Sequence, residues 1–288
     1  MILGNAIQMT KNNSEKRVIP EDLKTPFLQF TQTQRMYSNI LSLYEFALLT
    51  THLMFQVDFE DEKKNQQVLF CREAVYEAFS NNKEFVDSKL NLVEEEVKNQ
   101  SPILYLQATV SLWSGLESFI RLFISRWLQY NEDSFDKEIV KELKISFSEY
   151  HQMDEEDRYH YLTSLLEDRV RSSFMKGINR FESLLEVFGL SGKVDTNDKS
   201  NIFTLQQLRN CIVHNGAIAD KKIIDSCPWL NLEVGDQIIV SPDDFNKYLT
   251  SVNNYVVSIF IRFHKYLGIS DKTLETMKAF WERTKKLE

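Results

Sequence analysis

A chain of 288 residues with only 8 glycines and 5 prolines offers the backbone few places to break. Scarce breakers favour long helices over a strand-and-turn architecture. The hydrophobic pattern agrees. After Pro26, Tyr37, Ile40/Leu41, Tyr44, Leu48 and Met54 recur at three- and four-residue steps, which predicts an amphipathic helix to about residue 56. A charged break over Asp58 to Lys64 precedes a second helix through Val68, Cys71, Val75, Ala78 and Phe79. A charged, helix-prone segment covers residues 83–98. Ser101-Pro102 opens the next helix, since proline fits a first helical turn. Its apolar stripe runs Leu106, Val110, Trp113, Ile120, Ile124 and Trp127.

Residues 131–160 are acidic and broken, and predict short helices and loop. A single helix is expected from about 159 to 189, with Phe174, Ile178, Phe181, Leu185 and Phe188 on its apolar face and Gly189 at its C-terminal end. A polar loop, residues 191–200, leads to a helix over about 201–215 with Gly216 as its stop. Leu232 to Val240 predicts a small β-hairpin turning at Gly235-Asp236. Ser241-Pro242-Asp243-Asp244 starts a helix: a serine cap, proline at the first position and acids in the first turn. That helix buries Phe245, Leu249, Val252, Val256, Ile259 and Phe263 and ends at Gly268. A last helix over 271–286 carries Leu274, Met277 and Trp281. The fold class is therefore all-α, a helical bundle with an N-terminal helical extension and one small hairpin. The expected organisation is a poorly ordered start (1–24), a helical extension (25–100), a main helical domain (101–268) and a C-terminal helix (269–288).

Composition narrows the function. Hydrophobic residues at 43% and charged residues at 26% are ordinary for a globular protein. A net charge of −8 argues against tight clamping of long duplex nucleic acid by its backbone, though a local cleft could still hold RNA. Cys71, Cys211 and Cys227 are odd in number and far apart, with no paired CxxC spacing, so neither a disulfide framework nor a zinc–cysteine site is expected. A reducing cytoplasmic setting suits them. No charged region followed by an apolar core opens the chain. The most apolar stretch, Ile40 to Phe55, is interrupted by Ser42, Glu45, Thr50, Thr51 and His52, too short and too polar for a bilayer, so no membrane partner is expected. Phosphate-binding loops, nucleophile elbows and dinucleotide fingerprints are absent from the sequence, and no cofactor is called for. His151 and His160 lie beside Asp154 to Asp157 at a spacing that matches no metal motif; His52 and His264 read as core or boundary residues.

One segment offers chemistry: Arg209-Asn210-Cys211-Ile212-Val213-His214, followed by Asn215-Gly216. Histidine titrates near neutral pH and serves as acid or base. Arginine is permanently charged and matches phosphate bidentately. At about 100° per residue, Asn210 and His214 share one helix face, Leu205, Leu208 and Ile212 form the buried face, and Arg209 lies about 140° from His214. The segment resembles the R-x4-6-H motif of HEPN-domain ribonucleases, with the polar residue after the arginine and a glycine just past the histidine; the resemblance covers roughly residues 101–268. It implies an α-helical bundle that dimerises and cleaves RNA without a metal, as a toxin or anti-phage defence effector. It implies a catalytic pair of Arg209 and His214, supported by Asn210 and Asn215. One branch of the family carries a tyrosine two positions after the histidine; here that position is Gly216, so that form of control is not expected. Because Arg209 is offset, either its long side chain reaches round or two copies of the chain juxtapose their motif helices across a two-fold; the second, a composite site at a homodimer interface, is expected. The alternatives are an inactive module of the same family that senses nucleic acid or scaffolds a partner, and a toxin restrained by an antitoxin or defence-system protein.

Two further groups are candidates. Glu117 falls in the middle of an apolar stripe, where a carboxylate needs a partner. Arg121, four residues on, is one candidate; the motif helix, through Arg209 or His214, is the other. Arg169, Lys176 and Arg180 fall on one stripe if 159–189 is a single helix, either as a solvated face or as a track for RNA phosphates.

Overall fold

The computed structural model describes residues 21–56, 73–75, 77, 82–170 and 176–268. Of the poorly ordered start expected over 1–24, residues 1–20 lie outside the described residues and 21–24 are helical; the charged break at 58–64, most of the helix through Val68 to Phe79, Phe174 and the C-terminal helix also lie outside the described residues.

The described chain is mostly helical. The main elements are α1 (Glu21–Gln56), α2 (Lys83–Lys98), α3 (Pro102–Tyr130), α4 (Glu138–Lys141), α5 (Phe147–Gln152), α6 (Glu155–Val170), α7 (Ile178–Glu186), α8 (Thr196–Asn215), α9 (Lys221–Ser226) and α10 (Pro242–Tyr266). Helix α3 is the hub, packing against α1, α6, α8 and α10. Its buried face is wider than the stripe read from sequence. Leu112, Leu116, Phe119 and Phe123 are buried beside Trp113, Ile120, Ile124 and Trp127. Each large side chain so buried contributes about 1.5–3 kcal/mol. Val110 sits at the margin of that face.

Helix α1 begins before Pro26, not after it, and carries the proline inside its second turn. Leu23, Phe27 and Phe30 hold that end in the common core. The Phe27 ring meets Phe119, Phe123 and Phe260 edge-on at centroid distances of 5.1, 5.4 and 4.9 Å. Tertiary packing of this kind offsets the cost of an interior proline. Farther along α1 the expected apolar face is only partly covered: Leu48 is buried and Leu41 half-buried, but Ile40 and Tyr44 are exposed. Periodicity defines a stripe without supplying a partner for it.

The single helix expected over 159–189 is two. Helix α6 ends at Val170 and α7 starts at Ile178, capped by Gly177 at φ +60°, ψ −138°. That backbone region is open almost only to glycine. A Cβ at Gly177 would also lie 3.3 Å from Phe203 on α8, and the Gly177 amide donates to the Gln206 side-chain oxygen at 2.7 Å. Gly177→Ala should cost roughly 1–3 kcal/mol, measured by denaturant unfolding. An unfolding midpoint equal to wild type would refute the strained geometry.

Two other boundaries differ. Helix α8 starts at Thr196 because the Asp195 carboxylate accepts from the Asn197 amide at 2.8 Å, which shortens the expected polar loop. The hairpin over 232–240 does not form. Its turn is present, with the Asp236 amide donating to the Glu233 carbonyl. The outgoing residues instead pair with the segment after α8: Ile238 donates to Ala217 at 2.7 Å and Ala219 to Asp236 at 2.8 Å. Among the described residues this leaves an isolated antiparallel bridge, Ile218 to Gln237. The start of α10 is as expected, the Ser241 hydroxyl accepting from the Asp244 amide at 3.1 Å.

His264 is fully buried on α10, its Nδ1 2.7 Å from the Phe260 carbonyl. Burial lowers its pKa, because the charged ring loses hydration. The folded state therefore binds fewer protons than the unfolded chain below the ordinary histidine range. Stability contributed by neutral His264 is full above about pH 6.5 and declines as pH falls through the lowered value. Comparing urea midpoints at pH 7 and pH 5 for wild type and His264→Asn should show a larger acid loss in wild type.

Candidate functional site

The motif lies in the last two turns of α8. Ile202, Leu205, Leu208 and Cys211 bury one side of this helix, turning the polar residues of the motif outward. Gly216 ends it in the left-handed conformation, φ 61°, ψ 34°, its amide donating back to the Cys211 carbonyl. The following residues return across the helix end to α9. Asp220 caps α9, its Oδ1 accepting from the Ile223 amide at 2.9 Å.

This return builds a cleft of about 140 Å³ lined by Gln207, Asn210, Cys211, His214, Asn215, Asp220, Lys222 and Ile223. Asn210 and His214 thus share a face, as the helical spacing requires. Arg209 does not line the cleft. Its Nη1 donates to Asn210 Oδ1 at 3.2 Å, and its Nε is buried with no hydrogen-bond partner among the described residues. Asn210 is therefore the link between the guanidinium and the cleft. His214 and Asn215 are exposed. Asn215 Nδ2 donates to Asp220 Oδ2 at 2.6 Å, tying the helix end to the α9 cap. The Asp220 carboxyl is held below its ordinary range, first by the Ile223 amide and then by Asn215. Burial pushes the Cys211 thiol up, and its Sγ donates to the Ile218 carbonyl at 3.0 Å, a packing role.

The secondary candidates lie elsewhere. Glu117 pairs with Arg180, Oε1 to Nη1 at 2.8 Å, both side chains largely buried. Its expected partners are otherwise placed: Arg121 bonds Glu167 and Arg209 bonds Asn210. Glu117 thus ties α3 to α7. A contact between residues 63 apart is invisible to helical spacing. The basic stripe is dissolved by the break at Gly177. Arg169 pairs with Glu142 at the end of α6, Lys176 lies outside the helices, and Arg180 is spent on Glu117. Charge complementarity within the bundle accounts for both arginines.

Sequence reasoning passed over Gln207, Asp220 and Lys222. Gln207 had a signal: it lies three and seven residues before Asn210 and His214, on their face. Asp220 and Lys222 had none, because only the chain's return over Gly216 brings them there. His151 and His160 are exposed, and no group of three or more metal-binding side chains occurs among the described residues. Cys211 and Cys227 are buried free thiols, and burial lifts the Cys227 pKa to about 11. No helix among the described residues is long and apolar enough to cross a membrane. No family model, curated protein or solved structure matches this chain.

Proposed function

We propose that this chain is a metal-independent endoribonuclease of HEPN type, acting as a toxin or anti-phage defence effector. The observation that carries the reading is the meeting of Asn210 and His214 in one cleft, with the Arg209 guanidinium tied to Asn210. In this reading His214 removes the proton from a ribose 2′-hydroxyl. The 2′-oxygen attacks the adjacent phosphorus, the bond from phosphorus to the 5′-oxygen breaks, and that oxygen takes a proton from solvent water. The products are a 2′,3′-cyclic phosphate and a 5′-hydroxyl. Arg209 offsets the charge that builds on the non-bridging oxygens.

Arg209 lies off the cleft its own chain forms, so a homodimer is part of the proposal: two α8 helices meet across a two-fold and pool their motifs. Exposed apolar residues adjoin the motif, Val213 at 48% and Ile218 at 43%, as a self-associating surface requires. The apolar outer side of α1, with Leu43 67% and Phe46 69% exposed, favours the second reading, an interaction module of the same family held on a partner protein. Incubation of purified protein with mixed RNA in EDTA, beside Arg209→Ala, separates the two. Cleavage by wild type that the variant lacks supports the enzyme; intact RNA in both supports the module.

A further inference from the structure

Gln207 is 4% exposed and is one of the residues that line the cleft beside Asn210 and His214. Its Nε2 has a hydrogen bond of 3.4 Å to Gln206 Oε1, at the long limit for such a bond. Its own Oε1 accepts none among the described residues. That leaves its oxygen free to accept from a group that enters the cleft. The cavity size limits that partner. At about 140 Å³ the cleft is far larger than the roughly 10–15 Å³ that a single water needs. It falls below the ~300 Å³ at which sites for drug-sized ligands begin. That size suits one ring system, with the rest of its strand outside the cleft. The walls suit such a ring, with Ile223 and Cys211 apolar and Gln207, Asn210 and Asn215 offering amides. The Asp220 carboxylate is occupied by the Ile223 amide and Asn215, so its charge is already engaged. Lys222 is exposed and can meet the phosphate of a strand whose base is inserted.

We infer that the cleft is a nucleobase pocket and that Gln207 reads the base, with adenine preferred. A carboxamide presents one donor and one acceptor side by side, and adenine offers the matching N7 acceptor and N6 amine. Single-stranded RNA is recognised in this way, by a splayed base read along its edge. The inference rests on the RNA-cleaving reading of the same site and adds its sequence preference.

The test is sequencing of the ends that wild type, Gln207→Glu and Gln207→Leu produce from a random single-stranded RNA pool. Wild type should enrich adenine at one fixed position beside the cut by roughly tenfold over other bases. Both variants should bring that ratio close to parity, a change that a purely structural role for Gln207 would not make. A wild-type cut without base preference, or a preference that survives in both variants, overturns the inference and leaves the ribonuclease reading standing. The four nucleoside 5′-monophosphates provide a readout independent of cleavage, by saturation-transfer NMR on the wild-type and Gln207→Glu proteins. Adenosine monophosphate binding that Gln207→Glu weakens sustains the pocket even if no RNA is cut. Equal or absent binding of all four by wild type overturns it.

Discussion

His214→Ala should lower RNA cleavage by about 10²- to 10⁴-fold, the range that loss of a positioned general base produces. The loss should fall on the chemical step, because the 2′-hydroxyl loses its proton acceptor while the rest of the cleft remains. His214 is exposed at the end of α8, so unfolding should shift by no more than about 0.5 kcal/mol. Arg209→Ala should cost roughly 10²- to 10³-fold through the lost charge on the transition state. Arg209 is also half-buried and bonded to Asn210, so this variant should lose some stability as well. If two copies share the site, mixing the two single variants should restore part of the activity, since one composite site in the heterodimer keeps both residues intact. Activity in His214→Ala equal to wild type, measured as 2′,3′-cyclic phosphate formed per unit time, would end the proposal.

The largest stability effect is expected far from the motif. Arg262 on α10 grips Glu182 on α7, its Nη1 donating to Oε1 at 2.8 Å and Oε2 at 2.9 Å. Tyr255 donates its hydroxyl to the same carboxylate at 2.8 Å, and the Gly192 amide does so at 2.7 Å. Arg262 also reaches the Ser258 hydroxyl at 3.1 Å. Glu182 and Arg262 are only 14% and 16% exposed, and Tyr255 is fully buried. Burial, then the Glu182 charge, pushes the Tyr255 hydroxyl far above its ordinary pKa, so it remains a donor. Glu182→Ala leaves a guanidinium, a phenol and an amide without their acceptor. Removing one partner of such a buried pair costs about 3–5 kcal/mol. For a chain of this size that lowers the melting temperature by roughly 6–20 °C. Glu182→Gln keeps the shape and should lose less. The double variant Glu182→Ala/Arg262→Ala should lose less than the two single losses added, because the stranded charge is gone too. Additive losses would show that the pair is not coupled. This carboxylate also fastens the loop that leads into α8, at Gly192.

Much of the helical framework was legible in the sequence. Ser241-Pro242 announced the start of α10, and Gly216 the end of α8, because caps and stops depend on residues within one turn. The shared face of Asn210 and His214 follows from helical repeat alone. The errors fell where a distant residue decides. Gly177 breaks the chain between α6 and α7 against Phe203, a residue of another helix. Residues 236–238 have the pattern of a hairpin arm but pair with 217–219, since a free strand edge bonds whichever segment the fold brings alongside.

The sequence by itself determined that the chain is helical, where the motif helix ends, and which side of it carries Asn210 and His214. All three are properties of neighbouring residues on one helix. Only the tertiary structure decided that Glu117 belongs to Arg180 and that Asp220 and Lys222 complete the cleft. Those are contacts between segments, and one-dimensional spacing does not state which side chain will meet a charge or a carboxamide from another element.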